Sequence, residues 1–326
     1  MNHIGVIGAG AWGTALAQVA AQNGPVTLWA FEPEVAQAIN ELHENSAFLA
    51  GIPLSPAIRA TAHIADLADC DALLVVTPAQ HMRVILQAAP VGATPLLLCA
   101  KGIEAGTMAL MSEAAAEACP EAPIAALSGP TFASEVAAGL PTAVTLACGD
   151  DALGERLAAR IALPHFRPYR STDLIGAEIG GAVKNVLAIA CGIVEGASLG
   201  RNARAALIAR GFAEMTRFGI ARGAKAETLA GLAGLGDLVL TCSSEQSRNF
   251  SLGLGIGRGE SAASLLSDRR TVAEGAFTAP VLVQAARAAG VEMPIAEAVA
   301  ALIAGDWTAT QAVEALLARP LRSEAG

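Results

Sequence analysis

The feature that most constrains this chain is an apolar run over residues 4–7 that passes through the glycine-rich turn GAGAWG into an apolar helical stretch over 14–21. Gly8 permits a tight turn, Gly10 leaves the backbone bare for close approach of a ligand, and Gly13 allows a helix to pack against the preceding strand. The amino terminus of that helix offers unpaired N–H groups to an anion. In this strand–turn–helix context Gly8, Gly10, Ala11 and Gly13 read as the contacts of a dinucleotide pyrophosphate; a plain glycine-rich turn is the alternative.

The rest of the first half fits that start. Short apolar segments at 26–29, 73–76, 96–99, 124–127 and 142–147 alternate with helical patterns, the last of them at 151–160. Such alternation predicts a mostly parallel sheet covered on both faces. From about Gly176 a period of 3.6 residues takes over, with further helices expected at 203–222, 278–289, 295–304 and 308–318. The predicted fold class is therefore α/β, with an amino-terminal Rossmann-type parallel sheet (1–174) and a carboxy-terminal all-helical domain (175–326). A chain of 326 residues suits two domains.

Composition excludes several function classes. A net charge of −9 gives no basic footprint for nucleic acid or an anionic membrane. Apolar stretches of membrane-spanning length are broken by glycine, proline or charge, so no integral membrane association is expected. The amino terminus has no positively charged leader, and cytoplasmic residence is the expectation. Six cysteines and five histidines lack metal-ligand spacing, so no metal site is expected. Arginine outnumbers lysine eighteen to three, which marks the surviving Lys101, Lys184 and Lys225 as candidates for proton chemistry that arginine cannot perform.

Glu32, just past the second strand and 19 residues after Gly13, is placed to accept hydrogen bonds from a ribose 2′-hydroxyl and to repel a 2′-phosphate. No cation follows the second strand before Arg59, which favours NADH over NADPH; a solvated carboxylate beside Pro33 is the other reading of Glu32. VVTPAQ (75–80), CAKGIE (99–104) and SGPTFA (128–133) lie where strands end and ligands collect, which puts Lys101, Ser128 and Thr131 at a cleft edge, although SGPTFA reads equally as an ordinary polar turn. EIGGAVKNVLAIA sets Lys184 and Asn185 on a helix weakened by adjacent glycines, as close backbone approach would require; Lys184 as a snorkelling surface lysine is the alternative. GLAGLGDLVLTCSSEQSRN reads as a flexible loop gathering Asp237, Ser247, Arg248 and Asn249, with a helix cap and a surface charge as the bland readings of Asp237 and Arg248.

In this order the segments GAGAWGTALA, AKGIE, SGPTFASEV, EIGGAVKNVLAIA, GLAGLGDLVLTC and QSRN resemble the NAD(P)-dependent glycerol-3-phosphate dehydrogenases over nearly the whole chain. The resemblance implies reduction of dihydroxyacetone phosphate by NAD(P)H to sn-glycerol 3-phosphate, feeding glycerophospholipid synthesis. It implies Lys184 as proton donor and acceptor, with Lys101, Asp237 and Asn185 ordering the site. Gly129, Thr131, Ser247, Arg248 and Asn249 are then substrate contacts, and Trp12, Lys101, Ala133, Arg248, Val272 and Glu274 cofactor contacts. Family members often carry arginine after the second strand, where this chain has Phe31 and Glu32, which puts NADPH use in doubt. The family commonly forms homodimers. Two other readings stay open: a hydroxy-acid dehydrogenase of the same build, and a protein that binds NADH without turnover.

Overall fold

The computed structural model describes residues 1–267 and 273–318. Its first half is one sheet of β1 (Ile4–Ile7), β2 (Val26–Trp29), β3 (Ile58–Thr61), β4 (Ala72–Val75), β5 (Leu96–Leu98), β6 (Ile124–Ser128), β7 (Thr142–Cys148) and β8 (Phe166–Ser171). The spatial order is β3-β2-β1-β4-β5-β6-β7-β8, and all neighbours are parallel except β6 and β7. The order reverses between β1 and β4, which opens a crevice beyond their carboxyl ends, the usual ligand position in such sheets.

Strand alternation sends side chains to two separate cores. Ile4, Val6, Leu28, Leu74 and Leu97 meet α1 (Ala11–Ala21) and α2 (Pro33–Leu42) on one face. Ile7, Trp29, Leu73, Val75 and Leu98 meet α3 (Met82–Ala88) and α4 (Met111–Ala118) on the other. The short α5 (Ala133–Ala137) and α6 (Asp151–Ile161) complete the first face.

The two strands absent from the sequence reading are the two edges. β3 is IRAT, with Arg59 exposed, and β8 is FRPYRS, charged and interrupted by Pro168. Proline cannot donate to a strand ladder, yet an edge tolerates it, and charge there blocks pairing with other chains.

From Leu174 the chain is helical: α7 (Leu174–Gly196), α8 (Arg201–Ala221), α9 (Ala226–Ala230), α10 (Asp237–Thr241), α11 (Arg248–Gly257), α12 (Ala262–Leu265), α13 (Glu274–Ala288), α14 (Pro294–Ala304) and α15 (Ala309–Leu317). The last strand ends at Ser171, two residues before the Asp173 carboxylate caps α7 through the Gly176 N–H (2.9 Å) and holds the Lys225 N–H (2.8 Å). Every α7 residue from Gly176 to Val194 is buried, so this helix is the axis around which the others pack. It is long and apolar enough to cross a bilayer, but its whole apolar window lies inside the protein, as in the core helix of many soluble folds.

The segment read as a loop over 231–249 is instead a π-helical turn (Leu232–Gly236) followed by α10 and the start of α11. α11, RNFSLGLGIG, has poor helix propensity because of its three glycines; tertiary packing overrides that preference. A Cβ on Gly192 of α7 would run into the Phe250 carbonyl, and one on Gly253 or Gly257 of α11 into the carbonyls of Ile189 or Ile193. The two helices thus touch backbone to backbone along a glycine seam. Gly192→Ala is expected to lower stability by about 1–3 kcal/mol or more through overpacking. Gly149→Ala, where nothing lies within 4 Å, should change it by no more than about 0.5 kcal/mol. Equal denaturant midpoints for the two variants would refute the seam.

Candidate active site

Three backbone segments deliver charged groups to one buried point. The loop after β5 carries Lys101, the middle of α7 carries Lys184, and Asp237 is the first residue of α10, with no exposed surface. The Asp237 carboxylate accepts from Lys184 Nζ at Oδ1 (2.5 Å) and from Lys101 Nζ at Oδ2 (2.8 Å). Lys184 also donates to Thr241 Oγ1 (3.1 Å), one helical turn beyond Asp237. Two of the three lysines therefore share one carboxylate. The third, Lys225, is exposed and donates to Thr172.

The glycines ahead of Lys184 make this convergence possible. A Cβ on Gly180 would strike the Ala233 carbonyl in the turn that leads into Asp237; one on Gly181 would press on Ser128 Oγ (3.0 Å) and Lys101 Cγ (3.3 Å). The helix penalty of two glycines is thus set against close approach of both the α10 turn and the Lys101 side chain.

Burial of two ammonium groups around one carboxylate sets their proton affinities. Burial, with Lys101 adding repulsion, pushes Lys184 down to about 8 against the upward pull of Asp237. Burial also works against the Lys101 ammonium, but the charge and hydrogen bond of Asp237 outweigh it, and its pKa is raised. Glu274, at the start of α13, is raised by burial and restrained by Arg248, a backbone hydrogen bond from Ala79, and the two lysines. Lys184 thus remains charged at neutral pH while being a stronger acid than an ordinary lysine.

Asn185 and Asn249 form a second joint. Asn249 Nδ2 donates to Asn185 Oδ1 (3.0 Å), and its Oδ1 accepts the Gly275 N–H (2.9 Å), tying α7, α11 and α13 together. Ser247 Oγ accepts the Phe250 N–H (3.2 Å) and caps α11, while Arg248 beside it is exposed. Gly129 sits at φ 150° with its α-hydrogen side against Val144, so only glycine fits comfortably, and Thr131 Oγ1 donates to its carbonyl (3.3 Å). Ala133 opens α5. Ser128 Oγ is buried without a hydrogen-bond partner among the described residues.

At the nucleotide turn Gly8 has φ 113°, and a Cβ there would lie 2.9 Å from the Val76 carbonyl. A Cβ on Gly13 would overlap the Gly8 carbonyl, whereas one on Gly10 would meet nothing within 4 Å. Gly10 therefore faces open space at the amino terminus of α1, whose first turn carries no acidic residue and no side-chain cap. The buried Trp12 Nε1 has no hydrogen-bond partner among the described residues. Bare N–H groups, an orphaned indole N–H and room beside Gly10 fit a dinucleotide pyrophosphate. Glu32 is half-buried at the amino cap of α2 and makes no side-chain capping bond. Phe31 beside it is 77% exposed, its ring edge-on to Trp29. Arg59 leans toward Asp66 (3.9 Å). Val272 lies outside the described residues.

Sequence reasoning missed Thr241, although its i+4 spacing from Asp237 on one helix face was available. It also missed Glu178, a buried carboxylate on α7 that accepts from Ser112 N–H (2.7 Å) and Oγ (2.6 Å) at the start of α4; burial pushes it up to about 7. Only the folded chain brings residues 66 apart together.

Residues 3–154 and 173–314 match the family models described as the amino and carboxy termini of NAD-dependent glycerol-3-phosphate dehydrogenase. The chain is 63% identical over 324 residues to glycerol-3-phosphate dehydrogenase [NAD(P)+] 1 of Sphingopyxis alaskensis, covering 99% of this chain and 98% of that protein. It is 61% identical over 328 residues to glycerol-3-phosphate dehydrogenase [NAD(P)+] of Caulobacter vibrioides, covering 99% of each. Among solved structures, glycerol-3-phosphate dehydrogenase from Coxiella burnetii superposes with a TM-score of 0.93 at 38% identity, over 98% of this chain and 99% of that one.

The electrostatics give a direct test. Lys184 should titrate near 8 when followed by NMR of its side chain. Because Asp237 favours the charged form, Asp237→Asn should drive that value lower still. A Lys184 that titrates at the ordinary 10.5, or that ignores the substitution, would contradict the pairing.

Proposed function

The chain belongs to the NAD-dependent glycerol-3-phosphate dehydrogenase family, and from that premise we propose the part each site residue plays in the family's reaction. The protein is an oxidoreductase that interconverts dihydroxyacetone phosphate and sn-glycerol 3-phosphate with NAD(P)H. The product feeds glycerophospholipid synthesis.

When bound, NAD(P)H supplies the hydride to the carbonyl carbon. Gly8, Gly10, Ala11, Trp12 and Gly13 would hold its pyrophosphate at the amino terminus of α1, and Lys101, Ala133, Arg248 and Glu274 would contact the remainder. Arg248 and Asn249 grip the substrate phosphate, with Ser247, Gly129 and Thr131 beside them; arginine suits this position because its fork binds phosphate bidentately.

Lys184 faces the carbonyl. Its ammonium stabilises the developing alkoxide, then the Nζ–H bond breaks as the O–H bond forms, leaving a neutral amine beside Asp237 that recovers its proton from solvent. Asp237 keeps the ammonium aimed, Lys101 makes it more acidic, and Asn185 ties α7 to α11 through Asn249. The observation that carries this reading is the pair of buried lysines on one fully buried carboxylate, with Lys184 pushed down to about 8. A merely structural ion pair needs one cation, and the second raises the cost of burial.

NADH is the preferred cofactor in this reading. Glu32 is uncapped and half-exposed at the end of β2, suited to a ribose 2′-hydroxyl and repulsive to a 2′-phosphate, while Arg59, the next cation along the chain, leans toward Asp66. The protein works as a homodimer in the cytoplasm; its six free, buried cysteines suit a reducing compartment.

The test is loss of reduced-nicotinamide absorbance with dihydroxyacetone phosphate, run at equal NADH and NADPH concentrations. Faster loss with NADH is the expected result. Equal or faster NADPH loss would overturn the role of Glu32 but leave the reaction intact, and no loss with either would overturn the function.

A further inference from the structure

Lys101 stands on a stretch without regular structure between β5 and α4, so something other than the backbone ladder must hold it. The chain supplies a clamp from the first turn of α3 and from the connection that leads into it. Arg83 grips Glu104 bidentately, Nε to Oε1 at 2.8 Å and Nη2 to Oε2 at 2.7 Å, and its remaining arm reaches Glu117 on α4 (2.7 Å). Glu104 is nearly buried and also accepts from Thr107 Oγ1 (2.6 Å). The Arg83 hydrogen bond holds its carboxyl below the usual range although burial opposes this.

Gln80 adds a second clasp, donating to the Ile103 carbonyl (2.9 Å) and accepting from the Ala105 N–H (2.9 Å). On the other side the loop has no slack. A Cβ on Gly102 would lie 2.7 Å from Ala79 Cβ and 3.4 Å from Thr278 Oγ1 of α13. The residue next to Lys101 is thus wedged while the residues beyond it are bonded.

From this geometry we propose that Arg83 is a positioning residue for the reaction: by fixing Glu104 it holds the loop that aims Lys101 at Asp237. The inference rests on the assignment of Lys184 as proton donor given above. A surface ion pair would contribute little and leave chemistry untouched. This pair is a part-buried fork whose slackening moves a charge beside the reacting lysine.

The consequence has a sign. The groups acting on Lys184 are Asp237 from α10 and Cys242 just past its end, Lys101 from its loop, and Glu274 from α13. Asp237 favours the ammonium and Lys101 disfavours it. Withdrawal of Lys101 therefore raises the Lys184 pKa, and the alkaline loss of dihydroxyacetone phosphate reduction, which follows deprotonation of Lys184, moves to higher pH.

The experiment compares Arg83→Met, Arg83→Lys and Glu104→Gln with Lys101→Met in the full-length protein, measuring kcat, KM for NADH, melting temperature and the pH profile of reduction. Arg83→Met and Glu104→Gln are expected to lower kcat by about 10-fold or more, since an ångström of misplacement can cost 10²-fold. They should shift the alkaline limb upward as Lys101→Met does, with KM for NADH changing no more than it does in Lys101→Met. Arg83→Lys, which keeps the charge but loses the fork, should recover only part of kcat. Variants that melt earlier yet keep the wild-type kcat and alkaline limb would overturn the proposal, as would full recovery in Arg83→Lys. Failure of the underlying reading would look different: near-normal turnover of dihydroxyacetone phosphate in Lys184→Ala.

Discussion

A carboxylate with no contact with solvent cannot remain charged alone, and that of Asp237 is held by two ammonium groups on its two oxygens. The rest of the molecule can be understood as the means of bringing those three groups together. Lys101 comes from the sheet, Lys184 from the central helix, and Asp237 from a short helix reached through a π-helical turn. Removing Asp237 would leave two buried ammonium groups without a counter-charge, so the cluster links the sheet to the helical half while tuning Lys184. Burial makes Lys184 more acidic than an ordinary lysine, with repulsion from Lys101 adding to it against the pull of Asp237.

Small residues make that geometry possible. Gly180 and Gly181 admit the α10 turn and the Lys101 side chain, while Gly192, Gly253 and Gly257 let α7 and α11 meet backbone to backbone. Each glycine weakens the helix it occupies, by roughly 0.8–1 kcal/mol relative to alanine. Burial of α7 on all sides offsets that cost. The same tight packing allows Asn249 on α11 to reach both Asn185 on α7 and the first turn of α13.

Much of this was legible beforehand because local and global preferences agree. The turn at Gly8, Gly10 and Gly13 announces the crevice, and the change of period near Gly176 announces the helical half. The scarcity of lysine pointed to Lys101 and Lys184, which meet on Asp237; the same signal also picked Lys225, which caps nothing with its side chain and lies at the surface. β3 and β8 escaped because edge strands are short, charged and tolerant of proline, which removes the apolar signature of a strand. α11 escaped because its glycines argue against a helix unless its partner is known. Glu178 with Ser112, and Arg83 with Glu104, are pairs made by topology: no spacing in the chain connects a residue of α7 to the first turn of α4.

The most direct measurement of the central claim is turnover of dihydroxyacetone phosphate by Lys184→Ala and Lys184→Arg, alongside NADH binding followed by fluorescence. If the ammonium of Lys184 supplies the proton, alanine should lower turnover by about 10²–10⁴-fold with cofactor binding retained, and arginine, which keeps its proton, should restore little of it. Near-normal turnover in both variants would contradict the account.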